Sequence, residues 1–212
     1  MNSEAENSNV DDAIRRCFRP TVTFGAHPRE RRTEDRTVRV CVLRPGETEP
    51  EDLDGESLPY LAMPADRPAG VTGESRLALV AVEGRDQRMA AALAPLLDPR
   101  VVTIGLMHVT WMPRTIASPL DEGGLNNPEP AELLIYQGAR EALIDTAGEL
   151  RAAGFEVSTH LREDRDPARP LAETIQRQQP DLFVLGLGRH GAGIGRKVLE
   201  TARIPVLFVR AR

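Results

Sequence analysis

The sequence predicts an α/β fold: a five-stranded, mainly parallel sheet with helices on both faces over residues 76–212, preceded by a mostly irregular N-terminal extension, residues 1–75. Three observations predict it. From residue 76 onward, short apolar runs alternate with helical stretches, the pattern of β-α-β units around a parallel sheet. Four of those runs, 77–82, 101–109, 182–187 and 205–209, are apolar nearly throughout, as strands are when helices cover both faces. Charge divides the chain at the same place: residues 1–75 hold 10 basic and 15 acidic side chains and residues 76–212 hold 17 of each, so the net charge of -5 belongs to the first third.

The extension carries seven prolines (Pro20, Pro28, Pro45, Pro50, Pro59, Pro64, Pro68) and little helical periodicity, so it buries apolar surface poorly. Two pieces stand out, a helical turn over Asp12 to Phe18 and a β-branched strand over Thr37 to Leu43. An acidic, Pro-rich arm of this kind suits a protein partner, and equally a solvated tail.

The first strand of the folded part is Leu77 to Val82. Behind an Asp86 cap, Met89, Leu93, Leu96 and Leu97 recur at helical spacing until Pro95 ends the helix. Val101 to Val109 follows as the second strand. A loop of about 20 residues, 111–130, then holds the only tryptophan, Trp111, a length typical of lids and partner surfaces. Pro130 to Ala153 is the clearest helix, with Tyr136, Ala139, Leu143, Ala147 and Leu150 on one face and Gly154 placed to cap its C-terminus. Phe155 to Leu161 alternates, as an edge or half-covered strand does. A helix over Pro170 to Gln179, a strand at Leu182 to Leu187, a helix over Arg196 to Ala202 and a last strand at Pro205 to Val209 complete the order.

Composition excludes several classes of function. Only 27 basic residues face 32 acidic ones, too few for a surface built to neutralise a nucleic-acid backbone. The longest uninterrupted apolar stretch, Leu77 to Val82, is far short of the roughly 20 residues that span a bilayer, so no membrane association is expected. The first residues, MNSEAENSNVDD, have neither a basic nor an apolar signal region, which predicts a cytoplasmic location. Cys17 and Cys41 lie outside any C-x-x-C spacing. His27, His108, His160 and His190 form no H-E-x-x-H or i, i+4 pair, and no G-x-S-x-G elbow occurs, so neither a metal site nor a catalytic constellation is expected.

The densest functional signal is DLFVLGLGRHGAGIGRKVLE, residues 181–200, where a buried strand runs into Gly186, Gly188, Gly191, Gly193 and Gly195. Glycine permits positive φ and leaves backbone N–H groups uncovered, so such a segment can wrap an anionic phosphate before a helix. Arg189, Arg196 and Lys197 add positive charge. The same glycines also suit a tight strand-to-helix turn. Gly186-x-Gly188-x-x-Gly191 has dinucleotide-fingerprint spacing, but that fingerprint follows a first strand, and several strands precede this one. A P-loop needs Gly-Lys-Ser/Thr, and here the sequence reads Gly195-Arg196-Lys197-Val198.

Over residues 76–212 the sequence resembles the universal stress protein family. The motifs agree in order: LALVAVEGRD at 77–86, MHV at 107–109, AAGFEVSTHLREDRDP at 152–167, PDLFVLGLGRHGAG at 180–193 and IPVLFVR at 204–210. The resemblance implies an adenine-nucleotide-binding type of α/β domain, ATP being one candidate ligand, that forms a homodimer through its last strand, Pro205 to Val209. It also implies that Glu83 stands near the nucleoside, that Val109 offers backbone groups to the base, that Leu185 and Gly186 line base and ribose, and that Gly188, Gly191, Gly193 and Gly195 hold the phosphates, where the guanidinium of Arg189 or Arg196 can replace missing amide donors. The family's Gly-x2-Gly-x9-Gly-Ser/Thr pattern is only half present, because Thr201 and Ala202 occupy the positions of its second half. Two functions follow as expectations. One is a non-catalytic regulatory module sensing an adenine nucleotide; the other is a ligand-free interaction dimer that binds a protein through its acidic arm.

Overall fold

Residues that are apolar on both sides of an extended chain must be covered on both sides, and the run from 76 to 82 meets that demand by lying in the middle of a sheet. A computed structural model describes residues 12–25, 38–43, 59–63, 76–82, 88–110, 130–186, 197–198 and 204–209. The strands are β1 (Val22–Gly25), β2 (Val38–Leu43), β3 (Tyr60–Ala62), β4 (Arg76–Val82), β5 (Val102–Thr110), β6 (Glu156–Glu163), β7 (Leu182–Gly186) and β8 (Val206–Val209). The helices are α1 (Asp12–Arg15), α2 (Met89–Leu93), α3 (Pro130–Ala152) and α4 (Ala168–Gln178).

One sheet joins all eight strands in the order β1, β2, β3, β8, β7, β4, β5, β6. Every ladder is parallel except β3 with β8, where Tyr60 faces Phe208, Leu61 faces Leu207 and Ala62 faces Val206. Strand periodicity sorts the side chains into two cores. Ala78, Val80, Val82, Leu61, Leu207 and Val209 pack with α2 and α3 on one face. Leu79, Ala81, Tyr60, Val206 and Phe208 pack with Leu171 and Ile175 of α4 on the other.

Among the described residues the sheet therefore has eight strands, not five, and the three additional ones come from residues 1–75. That segment is not a mostly irregular arm where it is described. Asp12–Arg15 and Val38–Leu43 match the two expected pieces. β1 and β3, of four and three residues, are too short to show a period of two, and the order of β3 comes from its neighbours. Tyr60 and Leu61 are fully buried, and each such side chain contributes roughly 1.5–3 kcal/mol of transfer free energy. The segment is also tied to the body by backbone bonds: the Arg19 N–H donates to the Leu96 carbonyl at 2.8 Å and the Asp98 N–H to the Cys17 carbonyl at 3.0 Å.

Helix boundaries follow local chemistry. Gly154, at φ +96°, closes α3 with paired bonds from the Gly154 N–H to the Arg151 carbonyl (2.9 Å) and from the Phe155 N–H to the Leu150 carbonyl (3.1 Å). Ala139, Leu143, Ala147 and Leu150 form the buried face of α3 as expected, but Tyr136 does not; it is 40% exposed, near the helix start. α2 stops at Leu93, before Pro95. α4 begins two residues earlier than its periodicity suggests, because an Asp166 carboxylate oxygen accepts the Ala168 N–H at 3.1 Å. The expected Asp86 cap and most of the helix over 196–202 lie outside the described residues.

At the N-terminal ends of β4 and β7 the Arg76 guanidinium meets the Asp181 carboxylate at 3.0 Å, both nearly buried. The other carboxylate oxygen of Asp181 accepts the Leu77 N–H at 3.1 Å, and the Asp181 N–H donates to the Leu77 carbonyl at 2.9 Å. Removing one partner of a buried pair strands the other charge in a poorly solvated place, at a cost of about 3 kcal/mol or more. Asp181→Ala is expected to lower unfolding free energy by that amount in urea titrations, and a loss well under 1 kcal/mol would contradict this role.

Candidate functional site

The β7–β4–β5 centre of the sheet builds the candidate site at its carboxyl end. β4 is followed in space by β5 and β6 on one side, and the chain then crosses back to lay β7 and β8 on the other. Strand order reverses between β4 and β7, and in open parallel sheets such a reversal parts the flanking loops and leaves a crevice outside the strand carboxyl ends.

Register places the expected residues around that crevice. Val82 faces His108 across β4 and β5, so Val109 lies one step beyond the last residue of β4. Ala81 faces Leu185, and Gly186 ends β7 level with Val82. Three of the residues singled out from sequence, Val109, Leu185 and Gly186, are thus brought to the same end of three adjacent strands. Leu185 is buried and packs in the α4-side core, while Val109 and Gly186 are half-buried. Glu83, Gly188, Arg189, Gly191, Gly193, Gly195 and Arg196 lie outside the described residues.

Both ends of the glycine segment are held. It leaves the sheet at Gly186, which pairs with Val209 of β8. It returns at Lys197 and Val198, and Val198 is fully buried in the core formed by Leu171, Ile175, Leu185 and Phe208. Lys197 reaches the turn after β6, its ammonium 3.6 Å from an Asp166 oxygen.

That turn carries charge at the same, carboxyl end of the sheet, beyond β5. Thr110, buried at the end of β5, donates its hydroxyl to the Arg162 carbonyl at 3.1 Å, and its own carbonyl accepts the Asp164 N–H at 3.1 Å. Asp164 accepts the Asp166 N–H at 3.0 Å and two guanidinium bonds from Arg169 at 2.6 and 3.0 Å. These donors, the Asp166 amide first and the Arg169 side chain next, hold the Asp164 carboxyl below the usual carboxylate range. A groove of about 680 Å³ runs along Glu163, Asp164, Arg165, Asp166 and Arg169. Thr110 and Asp166 were not singled out from sequence; the Asp-x-Ala-x-Pro helix start was the available signal for Asp166, whereas nothing local marked Thr110.

The described histidines do not join this site as a catalytic set. His108 is buried in β5. His160 lies on β6 opposite Met107, 3.5 Å from the Gln178 side chain. Among the described residues no group of three or more His, Cys, Asp or Glu could hold a metal ion, and no helix is long and apolar enough to cross a membrane.

An open, mostly parallel sheet with helices on both faces and a reversal of strand order at its centre defines the doubly wound class of α/β domains. Among solved structures the chain is similar to hypothetical protein MJ0577, at 16% identity over 66% of this chain and 99% of that one, with a TM-score of 0.50. It is also similar to a universal stress family protein from Burkholderia pseudomallei (20% identity, 66% and 100% coverage, TM-score 0.47). A third is the universal stress protein from Archaeoglobus fulgidus in complex with dAMP (19% identity, 65% and 100% coverage, TM-score 0.46). At these identities the likeness is one of fold, and about a third of this chain lies outside it. No protein-family model matches the chain, and no curated protein matches it.

Burial lowers the affinity of His160 for a proton, and Arg162 and Arg177 lower it further. Its NMR titration midpoint is expected below the ordinary imidazole value of about 6.5. Because the folded value is depressed, the unfolded chain binds the extra proton first. Stability is therefore full above about pH 6.5 and declines as pH falls through that value toward the folded one. A midpoint at or above the ordinary value would contradict the partial burial of His160 and the influence of Arg162 and Arg177 on it.

Proposed function

We propose that residues 76–212 form a non-catalytic regulatory module, acting in the cytoplasm in stress adaptation, that senses an adenine nucleotide at the carboxyl ends of β4, β5 and β7. The observation that carries this reading is the exit of the Gly-rich segment from β7 at the reversal of strand order. A ligand there would lay its base and ribose against Val109, Leu185 and Gly186, with Glu83 near the nucleoside. Its phosphates would lie among Gly188, Gly191, Gly193 and Gly195, where backbone amides and the guanidiniums of Arg189 and Arg196 would supply donors. Binding to the folded chain alone shifts the population toward the nucleotide-bound state, which is how a module without chemistry passes on a signal.

A second reading, a ligand-free interaction protein, is favoured by the missing second half of the glycine pattern, where Thr201 and Ala202 stand. In it the fold is a platform and the acidic segments of residues 1–75 bind a protein partner. Mass spectrometry of small molecules released from the purified chain separates the two.

AMP, dAMP and ATP are the probes for the first reading. Ligand at about 100 times its dissociation constant is expected to add roughly 2.7 kcal/mol to unfolding free energy. Gly188→Val and Gly191→Val are expected to weaken binding about tenfold or more, roughly 1.4 kcal/mol, with unchanged far-ultraviolet circular dichroism. Lys197 is the only lysine, so an amine reagent reports on it directly, and bound nucleotide is expected to slow its labelling. No binding of any of the three at millimolar concentration would reject the sensor and leave the platform.

A further inference from the structure

The last strand of the sheet is all apolar, Val206-Leu207-Phe208-Val209, and buried along its length. A strand of that composition left at a sheet edge would present unpaired backbone groups flanked by apolar side chains, a template for pairing with another chain. The resemblance to the universal stress protein family implies a second copy at that edge. In the fold it is already filled. On one side β8 pairs with β7, and on the other Tyr60, Leu61 and Ala62 of β3 pair with Phe208, Leu207 and Val206.

β3 differs from every other strand in the sheet. It is three residues long, its ladder to β8 is the only antiparallel one among the described strands, and it comes from a segment about 145 residues away in sequence. Its direction matters, because a two-fold axis at a strand edge necessarily pairs the strand antiparallel to its own copy. β3 therefore holds β8 in the orientation that a second copy of β8 would adopt. Its outer neighbours do not repeat the hazard: β2 and β1 continue the sheet in parallel, and the new terminal strand, β1, has only four residues.

We propose that β3 is a built-in cap on the β8 edge: the chain completes its own interface, is monomeric at that edge, and offers β8 to a second copy only when β3 leaves. The N-terminal segment thereby decides whether the folded part assembles. This does not depend on nucleotide binding, so its outcome and that of the sensor reading are separable.

Light scattering on the full chain is expected to give the mass of one chain. Ala62→Pro removes an N–H that β3 directs at β8, since Pro59 and Met63 bond β2 and the alternate residues therefore face β8, and it is expected to double that mass in a concentration-dependent way. An Ala62→Pro chain that stays folded and monomeric would overturn the proposal. Should that variant not fold, Ala62→Cys with Val206→Cys, in a Cys17→Ala, Cys41→Ala background, provides the deciding measurement, since directly opposed antiparallel residues are close enough for a disulfide. Oxidation is expected to give a cross-link within one chain and a monomer on a non-reducing gel. A cross-link between two chains, or a full chain already dimeric, would overturn the cap.

Discussion

The rest of the molecule depends on β4 being covered on all sides. Its residues 78–80 are fully buried, its two edges are taken by β5 and β7, and its two faces look into separate cores. Because successive crossovers of a parallel sheet must return over one face or the other, a strand at the centre forces strand order to run outward in both directions from it. The crevice beside Val82 and Gly186 is the geometric remainder of that packing. The Arg76–Asp181 pair locks the opposite ends of the same two strands, so the joint is held at one end and parted at the other.

The edges of the sheet solve a different problem. β6, at one edge, is short of apolar surface and carries Glu156, Arg162 and Glu163, charges that make continued pairing with another chain unfavourable. β8 has no such protection in its own sequence and is covered instead by β3. Aliphatic content in a terminal strand thus couples the first third of the chain to the last, although little in either segment alone suggests the other.

Much of the fold and part of the site were legible from sequence. β4, β5, β7 and β8 are continuous apolar runs, α3 shows a regular buried face with Gly154 behind it, and β6 alternates as an edge strand does. The exit of glycines from β7 was equally plain. β1 and β3 were not, because three or four residues carry no measurable periodicity and the prolines around them, Pro20, Pro59 and Pro64, read as irregular chain. Tyr136 was misassigned because a period of 3.6 gives a direction around the helix and not the distance along it at which the sheet stops covering it.

Local sequence by itself determined where the described parts of the last two thirds are extended or helical and which residues stand at the carboxyl ends of the strands, because burial on two faces and positive φ are demands that single residues record. Only the tertiary structure decided that the sheet has eight strands, that Val109, Leu185 and Gly186 share one end of it, and that β8 is closed by β3. Those are facts of pairing between segments about 145 residues apart, and a hydrogen-bonded edge is chosen by whichever strand reaches it, not by the residues that offer it.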